Sequence, residues 1–177
     1  MVVWRYKKGG EAIFGRRVSN TLTFPGSHFQ ISTFDNSNLS EFERNKPAIA
    51  WSPVDNQYKV VWRHDTIPNT NPFAYEMFGI FLDSVGGTIG VEFRVSTVFE
   101  TNPLSVGADC PDIICNATGN YLVSWQNDNE ANDHNDLDEI YGGFCLVHTD
   151  GILPTALCKD HILCLLYTSP SPRDIGE

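Results

Sequence analysis

The apolar positions of this chain fall in short bursts, and the bursts recur. Val2-Val3-Trp4, Tyr58-Lys59-Val60-Val61-Trp62 and Tyr121-Leu122-Val123-Ser124-Trp125 each end in tryptophan. After a polar stretch comes an apolar-aromatic-glycine step: Ile13-Phe14-Gly15, Met77-Phe78-Gly79 and Ile140-Tyr141-Gly142. A further burst follows in two of the three cases, His28-Phe29-Gln30-Ile31-Ser32-Thr33 and Glu92-Phe93-Arg94-Val95-Ser96-Thr97. Runs of this length, rich in β-branched and aromatic residues, predict β-strands. Tyr121, Val123 and Trp125 alternate with Leu122 and Ser124, which gives one apolar and one mixed face.

The markers keep a common period. The glycines lie 64 and 63 residues apart, the tryptophans 58 and 63, and the two Phe-x-aliphatic-Ser-Thr strands 64, so the repeat is about 63 residues long. The second and third units also share an opening strand, Lys46-Pro47-Ala48-Ile49-Ala50-Trp51 and Cys110-Pro111-Asp112-Ile113-Ile114-Cys115. Turn formers follow each, Ser52 to Asn56 and Asn116 to Asn120. A complete unit therefore reads as four strands joined by hairpins. Such a unit cannot bury both its faces, so neighbours must stack on it, and radial stacking of four-stranded sheets is the propeller solution. The expected fold is all-β, a fragment of a β-propeller with two to three four-stranded antiparallel blades. The units are expected at residues 1–44 (lacking its opening strand), 45–102 and 103–163, the last degraded at its end. Matching tryptophans at one repeat offset are expected to be buried packing residues. The repeated glycine is expected to allow close backbone approach or a bulge.

The pattern of a Pro-containing strand, a strand ending Val-Val-Trp, an Ile-Tyr-Gly step and Gly-x-Glu-Phe-x-Val resembles repeats of large secreted bacterial proteins, including calcium-dependent adhesin- and toxin-like ones. The second unit carries it best, in Tyr58 to Trp62, Phe78-Gly79 and Gly90 to Val95, while the third keeps Ile140-Tyr141-Gly142 without the Glu-Phe-x-Val strand. The resemblance implies an extracellular propeller-like repeat within a larger secreted protein, with further blades of the same chain as its neighbours. At the other end, Cys164 to Asp174 reads CLLYTSPSPRD. That string is similar to the translation of a transposase sequencing adapter of the kind carried into metagenomic gene calls. Residues 164–177 are accordingly expected to be a non-biological tail, with a Ser/Pro-rich linker as the other reading.

Charge narrows the partners. A formal net charge of −10, from 22 acidic and 12 basic residues, argues against nucleic acid, whose phosphates need a basic face. No apolar run of about eighteen residues is present to span a membrane. The acid is concentrated after Trp125, where Asp128, Glu130, Asn132, Asp136 and Glu139 fall on the 1, 3, 5, 9 and 12 positions of a calcium loop. The same residues also read as a solvated acidic hairpin, because Asp133 stands where the loop needs glycine. Four cysteines outside the tail (Cys110, Cys115, Cys145, Cys158) lie in the third unit and leave zinc, a disulfide or buried thiols open. Asn38-Leu39-Ser40 and Asn116-Ala117-Thr118 are glycosylation acceptor patterns placed in turns.

No phosphate loop, nucleophile elbow or His-Glu-x-x-His pattern occurs, so no catalytic residues and no cofactor other than calcium are singled out. The reading that follows is non-enzymatic: an extracellular repeat serving binding, adhesion or scaffolding toward a glycan or a protein. The alternative is a blade fragment of a carbohydrate-active propeller enzyme, which needs paired carboxylates in a cleft.

Overall fold

The structure is a computed structural model, and it describes residues 1–7, 11–32, 44–65, 75–96, 107–128, 139–146 and 157–161. All regular elements among them are strands: β1 (Val2–Lys7), β2 (Glu11–Arg16), β3 (Phe29–Gln30), β4 (Arg44–Ser52), β5 (Gln57–Asp65), β6 (Tyr75–Asp83), β7 (Thr88–Arg94), β8 (Gly107–Cys115), β9 (Tyr121–Asp128), β10 (Glu139–Leu146) and β11 (Leu157–His161). No helix occurs among the described residues, so none is available to cross a membrane.

The strands group as the repeat predicts. Antiparallel pairing runs β4-β5-β6-β7 in the second unit and β8-β9-β10-β11 in the third. The first unit supplies β1-β2-β3. A single parallel bridge, Tyr75 to Gly107, joins the second and third blades. The third unit lacks the Glu-Phe-x-Val motif, yet β11 takes the fourth place on β10 with Leu157-Cys158-Lys159-Asp160-His161. Backbone pairing to an open edge does not require that motif. The short spacing between Trp4 and Trp62 is also explained: three residues separate β1 from β2, nine separate β5 from β6, and the strands themselves keep register.

Packing shows why the blades need each other. Val60 and Val61 point to opposite faces of β5. Val60 joins Trp62, Ile80 and Leu82 against Ile13 and Ile31 of the first blade. Val61 joins Met77, Phe81 and Val95 against Ile113, Tyr121, Val123 and Trp125 of the third. The middle blade is thus covered on both sides, the stacking that four-stranded units demand. Trp62 and Trp125 are 0% and 1% exposed, each facing the preceding blade. Their indole N–H groups find no acceptor among the described residues, and both rings sit in the apolar clusters between blades. Trp4 departs from the expectation of equal burial. It is half-buried, with Phe14 and His28 beside it at 6.5 and 6.4 Å between ring centres, because no described blade covers its face.

The repeated glycine acts through close approach. A Cβ on Gly79 would lie 3.1 Å from the Val60 carbonyl oxygen and 3.3 Å from Val95 Cγ2, and one on Gly15 would meet Ile31 Cδ1 at 2.8 Å. Ile31 and Val95 are equivalent residues of the outer edge, and both seat on a bare backbone. The pairing of β6 with β7 is also irregular just after Gly79, so both expected roles of this glycine are present there.

The Ser of each Phe-x-aliphatic-Ser-Thr segment closes the blade. The Ile13 amide donates to Ser32 Oγ at 3.1 Å and the Met77 amide to Ser96 Oγ at 2.8 Å. Ser96 Oγ in turn donates to the fully buried Glu76, whose other oxygen receives Arg94 at 2.5 Å. Ser96→Ala is expected to cost about 1–3 kcal/mol, since it strands a buried amide and removes a donor from a buried carboxylate. Urea denaturation of the two proteins measures it.

One buried group does not follow the apolar pattern. Lys59 is 0% exposed, and its Nζ has no hydrogen-bond partner among the described residues. It sits between Phe81, Phe93 and Tyr121 at 5.6, 5.2 and 5.5 Å from the ring centres. Two of the rings belong to its own blade and one to the next, so the amine bridges the blade interface through ring faces. Desolvation pushes its pKa down to about 7.

Candidate functional site: the rim of the inner strands

The first strands of the second and third blades, β4 and β8, start at one rim and carry the same irregularity. Pairing with the next strand skips between Asn45 and Ala48 in one and between Asp109 and Asp112 in the other. Each skip holds a proline, which has no N–H to give the ladder. The residue before it, Lys46 or Cys110, takes a positive φ of 51° or 47°. The bulges turn side chains of neighbouring blades toward each other.

A charged cluster results. Lys46 Nζ lies 2.6 Å from Asp109 Oδ2, and an Arg63 guanidinium nitrogen approaches the same oxygen at 3.3 Å. Asp109 Oδ1 accepts the Cys110 amide at 2.7 Å. Lys46 also donates to Cys110 Sγ at 3.1 Å. Arg63 lies over the Tyr75 ring, 4.1 Å from its centre. Side-chain exposure falls from 44% at Lys46 through 27% at Asp109 to 10% at Arg63, so the cluster runs from solvent into the blade interface. Partial burial works against the charged Lys46 amine, but hydrogen bonds to Asp109 and Cys110 outweigh it and hold its pKa above the ordinary lysine value. The arrangement offers one carboxylate with fixed orientation and two cations, which suits a polyhydroxylated or anionic ligand.

Of the calcium candidates, Asp128 ends β9 and Glu139 opens β10, with the backbones of Asn127 and Glu139 paired and Asp128 opposite Gly107. Glu130, Asn132 and Asp136 lie outside the described residues. Among the described residues no group of three His, Cys, Asp or Glu side chains is placed to hold a metal. Cys110 and Cys115 are free thiols, and Cys115 packs against the core between the second and third blades. Cys145 and Cys158 are direct cross-strand neighbours in the β10–β11 register. Asn116 is a turn residue: its Oδ1 accepts the amides of Thr118 and Asn120 at 3.0 and 2.9 Å. The adapter-like residues 164–174 fall outside the described residues.

The rim cluster was not legible as a site in the sequence. Lys46 and Cys110 are 64 positions apart, one repeat, and that offset is the signal that places them side by side on adjacent inner strands.

Comparison with known proteins gives a fold and corrects one expectation. No family model and no curated protein matches the chain, so neither the adhesin- or toxin-like resemblance nor the adapter reading gains support there. Among solved structures the chain is similar to an exo-1,5-α-L-arabinanase from a bovine ruminal metagenomic library, with a TM-score of 0.51 and 12% identity. The alignment covers 84% of this chain and 49% of the arabinanase, so the chain spans about half that protein's length. The fold is accordingly all-β and of the propeller type. The expectation of a non-enzymatic repeat is overturned by the same finding, since the similar protein is an enzyme.

Proposed function

We propose that the chain contributes blades to a carbohydrate-active propeller enzyme, a glycoside hydrolase whose sugar-binding rim includes Asp109, Lys46 and Arg63. The observation that carries this reading is Asp109 itself: a part-exposed carboxylate at the mouth of an inner strand, oriented by two cations of the neighbouring blade. It stands on a fold similar to an arabinan-cleaving enzyme. Glycoside hydrolysis uses two carboxyl groups across the scissile bond. Asp109 supplies one, as an acceptor for sugar hydroxyls or as the group facing the reacting carbon, and a facing blade supplies the other. Lys46 and Arg63 keep Asp109 in place and donate to ring and hydroxyl oxygens.

Titration of the chain with linear 1,5-α-arabino-oligosaccharides, alongside other neutral oligosaccharides, tests this. Binding is expected to weaken roughly ten- to a hundredfold in Asp109→Ala, the loss of one charge-assisted hydrogen bond at about 1.5–3 kcal/mol. Failure of every oligosaccharide to bind, or equal binding by the variant, would overturn the reading.

A further inference from the structure

Lys46 and Cys110 occupy equivalent places in consecutive repeats, and they meet. The positive φ of each turns it out of its ladder, and the amine nitrogen comes to 3.1 Å from the sulfur. Cys110 is exposed, and Lys46 is 44% exposed, so small oxidants reach both. Asp109 Oδ2, 2.6 Å from Nζ, is placed to take an ammonium proton, and its Oδ1 anchors the Cys110 amide. Cys115, also a free thiol, donates instead to the Asn116 carbonyl at 3.4 Å. A thiol and an amine in contact across two strands that share no ladder need only one inserted oxygen atom to become a covalent tie.

We propose that Lys46 and Cys110 form an oxidative N–O–S crosslink that staples the inner strands of adjacent blades. This inference does not rest on the sugar-binding reading, but it shares Lys46 with it: once linked, Lys46 is no longer an ammonium, and Asp109 keeps Arg63 and the Cys110 amide. The oxidant is dioxygen. The Cys110 S–H bond and one Lys46 N–H bond break, S–O and N–O bonds form, and the O–O bond is cleaved. One oxygen stays in the bridge, and the other leaves as water with the two hydrogens. Sulfur and nitrogen each lose two electrons, and dioxygen accepts all four. Before the reaction the extra ammonium proton passes to Asp109 or to solvent, so that nitrogen has a lone pair to offer. The bridge closes a loop of the chain between β4 and β8, which restricts the unfolded state and raises stability as a disulfide does.

The test is peptide mass spectrometry of the chain purified in air and of the same chain kept under a reductant. The expected result is a linked pair of peptides, one containing Lys46 and the other Cys110, with a combined mass higher by one oxygen and lower by two hydrogens. Thiol reductants should remove it and lower the melting temperature. Lys46→Arg and Cys110→Ser should each abolish the species, and Cys115→Ser should leave it intact. A Lys46→Arg protein whose Cys110 is oxidised as readily to sulfenic or sulfinic acid, with no linked peptide in the wild type, would overturn the proposal. So would recovery of Cys110 only as an intermolecular disulfide. Oligosaccharide binding that persists in Cys110→Ser separates this outcome from the sugar-binding reading.

Discussion

Trp62→Ala is expected to cost about 3–5 kcal/mol, the range for deleting a large aromatic from a packed core. Trp62 is 0% exposed between the first and second blades, against Ile13, Ile31 and Ile80. Collapse of the neighbours cannot fill the space, because β-sheets hold these residues at fixed spacing from both sides. The indole N–H has no acceptor among the described residues, so no lost hydrogen bond adds to the cost. Trp4→Ala, at the same repeat position, is expected to cost about half as much or less, because a half-buried ring surrenders less apolar area. Guanidinium denaturation of both variants decides the matter. Total stability of a domain this size is of order 5–15 kcal/mol, so Trp62→Phe is the milder companion if the alanine variant does not fold. Equal costs at the two positions would contradict burial between blades as the role of this tryptophan.

Lys59 supplies the second large effect, and its sign runs with pH. An unfolded lysine titrates near 10.4, whereas folded Lys59 does so at about 7. Between those values the unfolded chain binds a proton that the folded chain lacks, so stability rises with pH from about 7 to about 10. Below pH 7 the desolvation penalty on the charged amine is present in full. The three surrounding rings offset part of it, through their faces. Lys59→Met, which keeps the length and removes the charge, is expected to stabilise the protein at pH 6 by about 1–3 kcal/mol, the scale of replacing a buried charged group by an apolar one of similar volume. It should also flatten the rise between pH 7 and 10. Melting temperatures of the two proteins across that window give the comparison, and other titrating groups cancel in the difference. A parallel pH profile for the two proteins would mean that Lys59 titrates in the folded state as it does in solvent.

Lys59 also marks the limit of strand patterning. In Tyr58-Lys59-Val60-Val61-Trp62 it reads as a polar break in an apolar run, and alternation puts it on the face of Val61, toward the third blade. Only the tertiary arrangement reveals that Phe81, Phe93 and Tyr121 arrive from three other strands to surround it. The same holds for Glu76 and Arg94. Their pairing across β6 and the end of β7 follows from an eighteen-residue separation that nothing in either local sequence announces.

What the amino-acid sequence determined by itself is periodic and local. Strand identity follows from apolar bursts, the blade from a 63-residue period, the hairpins from Ser52 to Asn56 and Asn116 to Asn120, and the need for stacked neighbours from four-stranded units that cannot bury both faces alone. These are properties of side-chain alternation and turn chemistry, which act over a few residues and survive without knowledge of the whole. The tertiary structure decided three further things: the partial exposure of Trp4, the outer strand β11 that carries no motif, and the meeting of Lys46, Arg63, Asp109 and Cys110. Each depends on how one blade is set against the next. That offset brings residues a full repeat apart within hydrogen-bond reach, and hydrophobic periodicity carries no information about polar groups at a rim.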